Sequence, residues 1–573
     1  MTIANAEIRY RVRPLPEAKQ IHVTVTIPVK GHETLIQIPR WMPGYYVLQD
    51  SGKNLKDMSV QGDTSSPIPF EIVNDHTWKI QSKGLKAVTV SYHAPLEYEN
   101  GTGHYSGTPS YIYAVGRTQE KCTLQLDVPK DWKIAVGLDG EGQNYRADTY
   151  DILADNSVTL GSFIEAKYIS AGKPHTIALR GAGASKVDLA QLQKECEFVS
   201  SVETDFMGGA PFNKYVWHFT AHSGSGASFG IEHLSSSNIS IGPVITHETA
   251  GLLAHEFFHL WNVKRIRSKV LGPFDYTKLP KTGALWWLEG VTEYYSQSIL
   301  WRYGWTDDED YYQDMASNIG RQGTNPERLK VSPYESSLRV DETNNGRGNS
   351  DGFGLSYYDE GYVVGLCLDL ELLAKTNGKR TLDDVELALW KMCRNSQPGF
   401  EEGEIRKQLI RFGGDSFGPF YDRIVMSPGD LPVANALANI GMEMVTHTQE
   451  RSDRGFRTQI NSKTNEVEVR STQSQATASA LPRGTIIRSV NGNSIGGETS
   501  QAVALSLEKA LGELRAGSEL QLRVELPGSQ QESDATVKVL LVKSVIHEIR
   551  SIANPTPNQL RLRAIWSQKR RVR

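Results

Sequence analysis

His255-Glu256-Phe257-Phe258-His259 spells H-E-x-x-H inside an apolar, helix-compatible stretch. A fold that keeps this segment must place two imidazoles on one face of a helix, because positions i and i+4 lie about 5–6 Å apart there. Both rings can then reach one metal ion, with the Glu256 carboxylate beside them. Thr246-His247-Glu248-Thr249 gives the segment a polar, acidic start, and no Pro interrupts Ala250 to Val263. The competing reading is a buried His pair with a surface Glu.

Catalytic zinc takes three protein ligands and leaves a fourth position for water, so a third ligand separates a site from an accident. Trp286-Trp287-Leu288-Glu289-Gly290-Val291-Thr292-Glu293-Tyr294-Tyr295 opens a second helical segment that ends near Gly304. Glu289 and Glu293 again share a face. With Glu289 on the metal, Glu293 sits one turn along, where it can accept the free ring N–H of a ligating histidine. Glu is usually solvated, but the aromatic company here points to a buried face.

These segments, together with Ile38-Pro39-Arg40-Trp41-Met42-Pro43-Gly44-Tyr45, Gly230-Ile231-Glu232-His233 and Tyr357-Tyr358-Asp359-Glu360-Gly361, resemble peptidase family M61. Those glycyl aminopeptidase-like gluzincins are similar to the M1 aminopeptidases. The resemblance implies one zinc ion per chain and a peptide substrate with a free amino terminus. It implies that Gly230 and Glu232 bind the substrate's α-ammonium and that Tyr358 donates to the developing oxyanion, with Tyr357 as the competing assignment. Glu256 is the expected general base, and small first residues, Gly or Ala, are expected by resemblance only. Phe229 and Glu360 depart from the family pattern, where Gly and Lys are usual, and bear on pocket shape rather than on metal binding. A zinc endopeptidase is the alternative if Glu232 faces away from the metal. A peptide-binding scaffold with a non-catalytic zinc domain is another.

At 573 residues the chain exceeds what one core supports. The pattern predicts a multidomain α+β protein. Residues 1–190 alternate as in a β-sandwich-like domain, 191–440 read as a mainly helical, thermolysin-like catalytic domain, and 441–548 resemble a PDZ domain. A PDZ-like unit implies a possible peptide ligand, with Ile440-Gly441-Met442 as the candidate loop for its carboxylate. The basic tail, 549–573, is expected to be solvated or frayed. The Asn- and Gly-rich stretch 340–354 is a surface loop or a lid over substrate.

A formal net charge of −4 gives no general basic bias toward nucleic acid or membrane. No run of about 18 apolar residues exists, and the amino terminus lacks a leader pattern. Four widely spaced cysteines suit reduced thiols, so a cytoplasmic location is expected.

Overall fold

The computed structural model describes residues 7–64, 66–222, 229–342, 354–394, 399–461, 464–497, 500–529 and 531–570. The chain is a multidomain α+β protein with a β-rich amino-terminal region followed by a helical region. Ile8–Leu15 runs parallel to Cys122–Leu126 and antiparallel to Gln20–Pro28, which pairs in turn with Ala87–Pro95. These strands belong to a seven-stranded sheet. Val23, Val25 and Ile27 are fully buried while Thr24 and Thr26 alternate outward, the period of two expected of a half-buried strand. Two four-stranded sheets share the core with it.

The second core is built on a five-stranded mixed sheet. Tyr215–Ala221 lies at its centre, parallel to both Lys173–Arg180 and Ser236–Ile241, and Phe229–Glu232 forms one edge. Ile164–Ser170 and Lys173–Arg180 therefore join this sheet, although they precede the boundary expected at residue 190. Their alternation alone could not say which sheet they enter, because partner choice is a long-range matter. Leu189–Met207, capped by Asp188 at its start and left-handed Gly208 at its end, covers the sheet together with His247–Phe258.

Beyond residue 440, Met442–Asp453 and Leu540–Ser551 form a long antiparallel ribbon. It leads to a small β-rich unit with two helices and its own core. The ribbon leans on helix Asp308–Thr324, where a side chain on Gly320 would strike the His547 ring.

Two expectations fail in this region. Ile440-Gly441-Met442 is not an open carboxylate loop: Ile440 and Met442 are buried, and Arg563 donates to the carbonyls of Ile440 and Gly441. The local N–H groups are also engaged, Ile440 with Leu437 and Gly441 with Ala438. Nor are the described residues of the tail, 549–570, frayed. Helix Pro557–Trp566 docks on the catalytic region with Trp566 against Trp301, Lys569 lies over the Trp301 ring, and Arg570 pairs with Asp383. Arg570 is thus a counter-ion for the buried Asp383. Most of the predicted loop 340–354 falls outside the described residues.

Candidate active site

Helix His247–Phe258 starts on a reciprocal cap, with Thr246 N–H donating to the Thr249 hydroxyl. The regular helix stops at Phe258, short of the run to Val263 that the sequence allows. His259 keeps helical dihedrals, and the chain then reverses through Val263 at φ 120°, a strained value for a β-branched residue. This reversal turns the Asn262 carbonyl back to accept from His259 Nδ1 at 2.7 Å. Asn262 is fully buried, and its amide donates to Trp287 O and Thr292 Oγ1, both at 3.0 Å. One side chain thus ties the histidine-bearing segment to the glutamate-bearing one. A lone Asn in the apolar run Phe257 to Val263 was the available signal for it.

Glu289 lies on Trp286–Val291, a π-helical widening just before helix Thr292–Arg302. Such widenings are frequent at functional sites. The segment presses on helix Tyr357–Lys375 through two glycines. A Cβ on Gly290 would lie 2.4 Å from Gly361 Cα, and one on Gly361 would lie 2.0 Å from Trp286 O. This close approach fixes Glu289 relative to Tyr358, whose ring centroid is 6.0 Å from that of His255. Tyr358 lines the cleft; Tyr357 is fully buried and does not.

His255 Nε2, His259 Nε2 and Glu289 Oε2 form a triangle with sides of 3.0, 3.2 and 3.7 Å. All three residues are buried. A tetrahedral zinc with bonds of about 2.0–2.2 Å sets its ligand atoms roughly 3.3 Å apart, so this donor set fits. His255 Nδ1 meets Glu293 Oε2 at 2.9 Å, and Gln297 holds the other Glu293 oxygen at 2.8 Å. Burial alone would raise Glu289, but the two imidazoles bring it down to about 2. Burial works against a charged His255, yet Glu289 and Glu293 hold it well above the usual imidazole range. Protons therefore compete with a metal ion for this site. Glu293→Gln is expected to weaken zinc binding by about 10–100-fold, measured by competition with a chromophoric chelator.

Burial pushes Glu256 up to about 7 against the pull of both imidazoles. Its carboxyl fills the space a side chain at Gly230 would need, with Glu256 Cδ 2.2 Å from where that Cβ would be. Glu232, two positions along the same strand and so on the same face, extends toward Gly44. Gly44 has φ 93°, and a Cβ there would meet the Glu232 carboxylate at 2.5 Å. Both carboxylates open on one cleft of about 550 Å³ with the three candidate ligands and Tyr358. Sequence reasoning reached Glu232 and Gly230 through resemblance. It gave no role to Gly44 and Lys264, which flank Glu232, or to Asp155, which pairs with Lys264.

The model of the M61 glycyl aminopeptidase family matches residues 248–364, and that of the peptidase M61 N-terminal domain matches residues 9–162. No curated protein matches. Among solved structures, an aminopeptidase N family protein from Idiomarina loihiensis is 20% identical with a TM-score of 0.77, covering 96% of this chain and 99% of that one. It shows a shared fold along nearly the whole length. An M1 zinc metallopeptidase from Deinococcus radiodurans is 11% identical, covering 74% and 95% of the two chains with a TM-score of 0.47. Yeast LTA4 hydrolase is 14% identical, covering 76% and 70% with a TM-score of 0.45. The two matched segments lie in chain order, which supports a metallopeptidase similar to peptidase family M61.

Proposed function

We propose that the protein is a zinc aminopeptidase that removes small residues from the free amino terminus of peptides, with one zinc ion per chain. The observation that carries this reading is the shared cleft. Glu232, an anionic group suited to an ammonium, opens on the same space as the His255, His259 and Glu289 triangle. A charged amino terminus held at Glu232 leaves only the first peptide bond within reach of Glu256.

Zinc held by the triangle would supply Lewis acidity, making an attacking water acidic near neutral pH. Glu256 accepts that water's proton and returns it to the leaving amine. Tyr358, whose hydroxyl burial and Glu289 hold well above the ordinary phenol range, stays protonated and donates to the carbonyl oxygen as it gains charge. Phe229, edge-on to Tyr45 at 6.3 Å, narrows the wall beside Gly230 and supports a preference for Gly or Ala.

Acetylating the amine of an alanyl or glycyl chromogenic amide tests the reading. Cleavage of the free amine and loss of at least about 99% of the rate on the acetylated substrate are expected. Equal rates on both would make the protein an endopeptidase. The unit beyond residue 440 is read as PDZ-like because Phe456–Ile460 forms an outer strand of its sheet beside helix Ser500–Leu511, a geometry suited to adding a peptide strand.

A further inference from the structure

Glu232 does not stand alone. Behind it, on the side away from the cleft, lie two further charges that resemblance did not assign. Lys264 Nζ is 3.5 Å from Glu232 Oε1 and 3.2 Å from Asp155 Oδ1. All three side chains are 4% exposed, so each charge is out of water and the chain of alternating signs holds together without screening. Lys264 follows the strained turn at Val263, and its backbone N–H donates to His259 O. Asp155 comes from the amino-terminal β-rich region, directly after helix Tyr150–Ala154.

The lysine is shared unequally. It hydrogen-bonds to Asp155, whereas Glu232 Oε1 is buried with no hydrogen-bond donor. Asp155 is itself held firmly: His233 Nδ1 meets its Oδ1 at 2.9 Å, and Leu234 N–H donates to its Oδ2 at 2.9 Å. Burial would make Lys264 easier to deprotonate, but Asp155 first and Glu232 second keep it above the ordinary lysine range. A buried acceptor without a hydrogen-bond donor is costly, so the Glu232 carboxylate keeps capacity for a cation besides Lys264. Neither Asp155 nor Lys264 lines the cleft, so neither touches substrate.

We propose that Asp155 is a positioning residue for amine recognition: by holding Lys264 back, it leaves the Glu232 carboxylate free for the substrate's α-ammonium. This inference rests on the aminopeptidase reading. Without the charge of Asp155, Lys264 has one anion left within reach and closes onto Glu232. The substrate must then displace an internal cation before it can bind. The amino-terminal region would thereby set affinity at a site on another domain.

The test is a double-mutant cycle on the zinc-loaded, full-length protein, with KM and kcat measured on an alanyl chromogenic amide. Asp155→Asn keeps the shape and removes the charge. It is expected to raise KM about tenfold or more, with kcat within about twofold and zinc content unchanged, because binding common to ground and transition states is lost. Adding Lys264→Met removes the competing cation and returns KM toward the wild-type value. A folded Asp155→Asn variant with wild-type KM overturns the inference, as does a double variant no better than the single. If Asp155→Asn does not fold, the double variant decides alone, since one positive and one negative charge leave together. A KM near wild type is then expected, and a tenfold increase overturns the inference. The wild-type protein on free and N-acetylated substrates runs in parallel. Equal rates there defeat the aminopeptidase reading itself, whereas an amine-dependent wild type with an unresponsive Asp155→Asn defeats only the role of Asp155.

Discussion

Replacing Glu256 with Gln is expected to lower kcat on alanyl or glycyl amides by at least about 10³-fold, roughly 4 kcal/mol of barrier, with zinc binding retained. The separation of effects follows from the geometry. Glu256 lines the cleft beside the ligand triangle but is not one of the three donors, so an amide of the same shape leaves the triangle intact. The amide cannot accept a proton from water or carry it to the leaving amine. Metal analysis on the same sample completes the experiment, because loss of zinc together with activity would make Glu256 a structural prop. The wild-type pH profile gives a second view of the same group. Burial pushes Glu256 up to about 7, and a bound cation opposes burial, so the base loses its function as pH falls through a value at or below 7. The acid limb of kcat/KM should therefore fall with decreasing pH, and it should be missing from the residual activity of the Gln variant.

Gly361→Ala is expected to destabilise the protein by about 3 kcal/mol, seen as a lowered denaturant midpoint, and to remove most activity from what still folds. The added methyl has nowhere to go. Its position is 2.0 Å from Trp286 O and 2.7 Å from Gly290 Cα, and both are backbone atoms that no rotamer change can clear. Relief requires segment Trp286–Val291 to move away from helix Tyr357–Lys375. That motion separates Glu289 from Tyr358, so metal affinity and oxyanion stabilisation suffer together. Ala at Gly251, inside the histidine-bearing helix, meets nothing within 4 Å and serves as the control: its stability should match wild type or exceed it by up to about 1 kcal/mol, the gain of Ala over Gly in a helix.

The parts of the site that follow local periodicity were legible in the sequence. His255 with His259 and Glu289 with Glu293 are pairs four apart, and helical spacing alone puts each pair on one face. The convergence of the two faces was not legible, because it depends on Asn262 bridging to Trp287 and Thr292 and on glycines 290 and 361 meeting. Lys264 stands five positions after His259 and reads as one more basic residue in Lys264-Arg265-Ile266-Arg267. Only the fold brings Asp155 to it. The same long-range pairing explains the misread tail, whose Lys569 and Arg570 meet Trp301, Asp308 and Asp383 from across the chain. Ile440 to Met442 misled for a related reason. A Gly between apolar residues marks a turn, but Arg563 decides whether that turn is open. In the β-rich half, alternation identified strands such as Gln20–Pro28 well, since each has one buried face. It carried no information on which sheet Lys173–Arg180 would join.

Titrating zinc into chelator-treated protein while following hydrolysis of an alanyl chromogenic amide measures the central claim most directly. The account predicts no activity without metal, a linear rise with added zinc, and a break at one equivalent per chain. Full activity in the metal-free protein, or zinc binding at one equivalent with no hydrolysis, would contradict it.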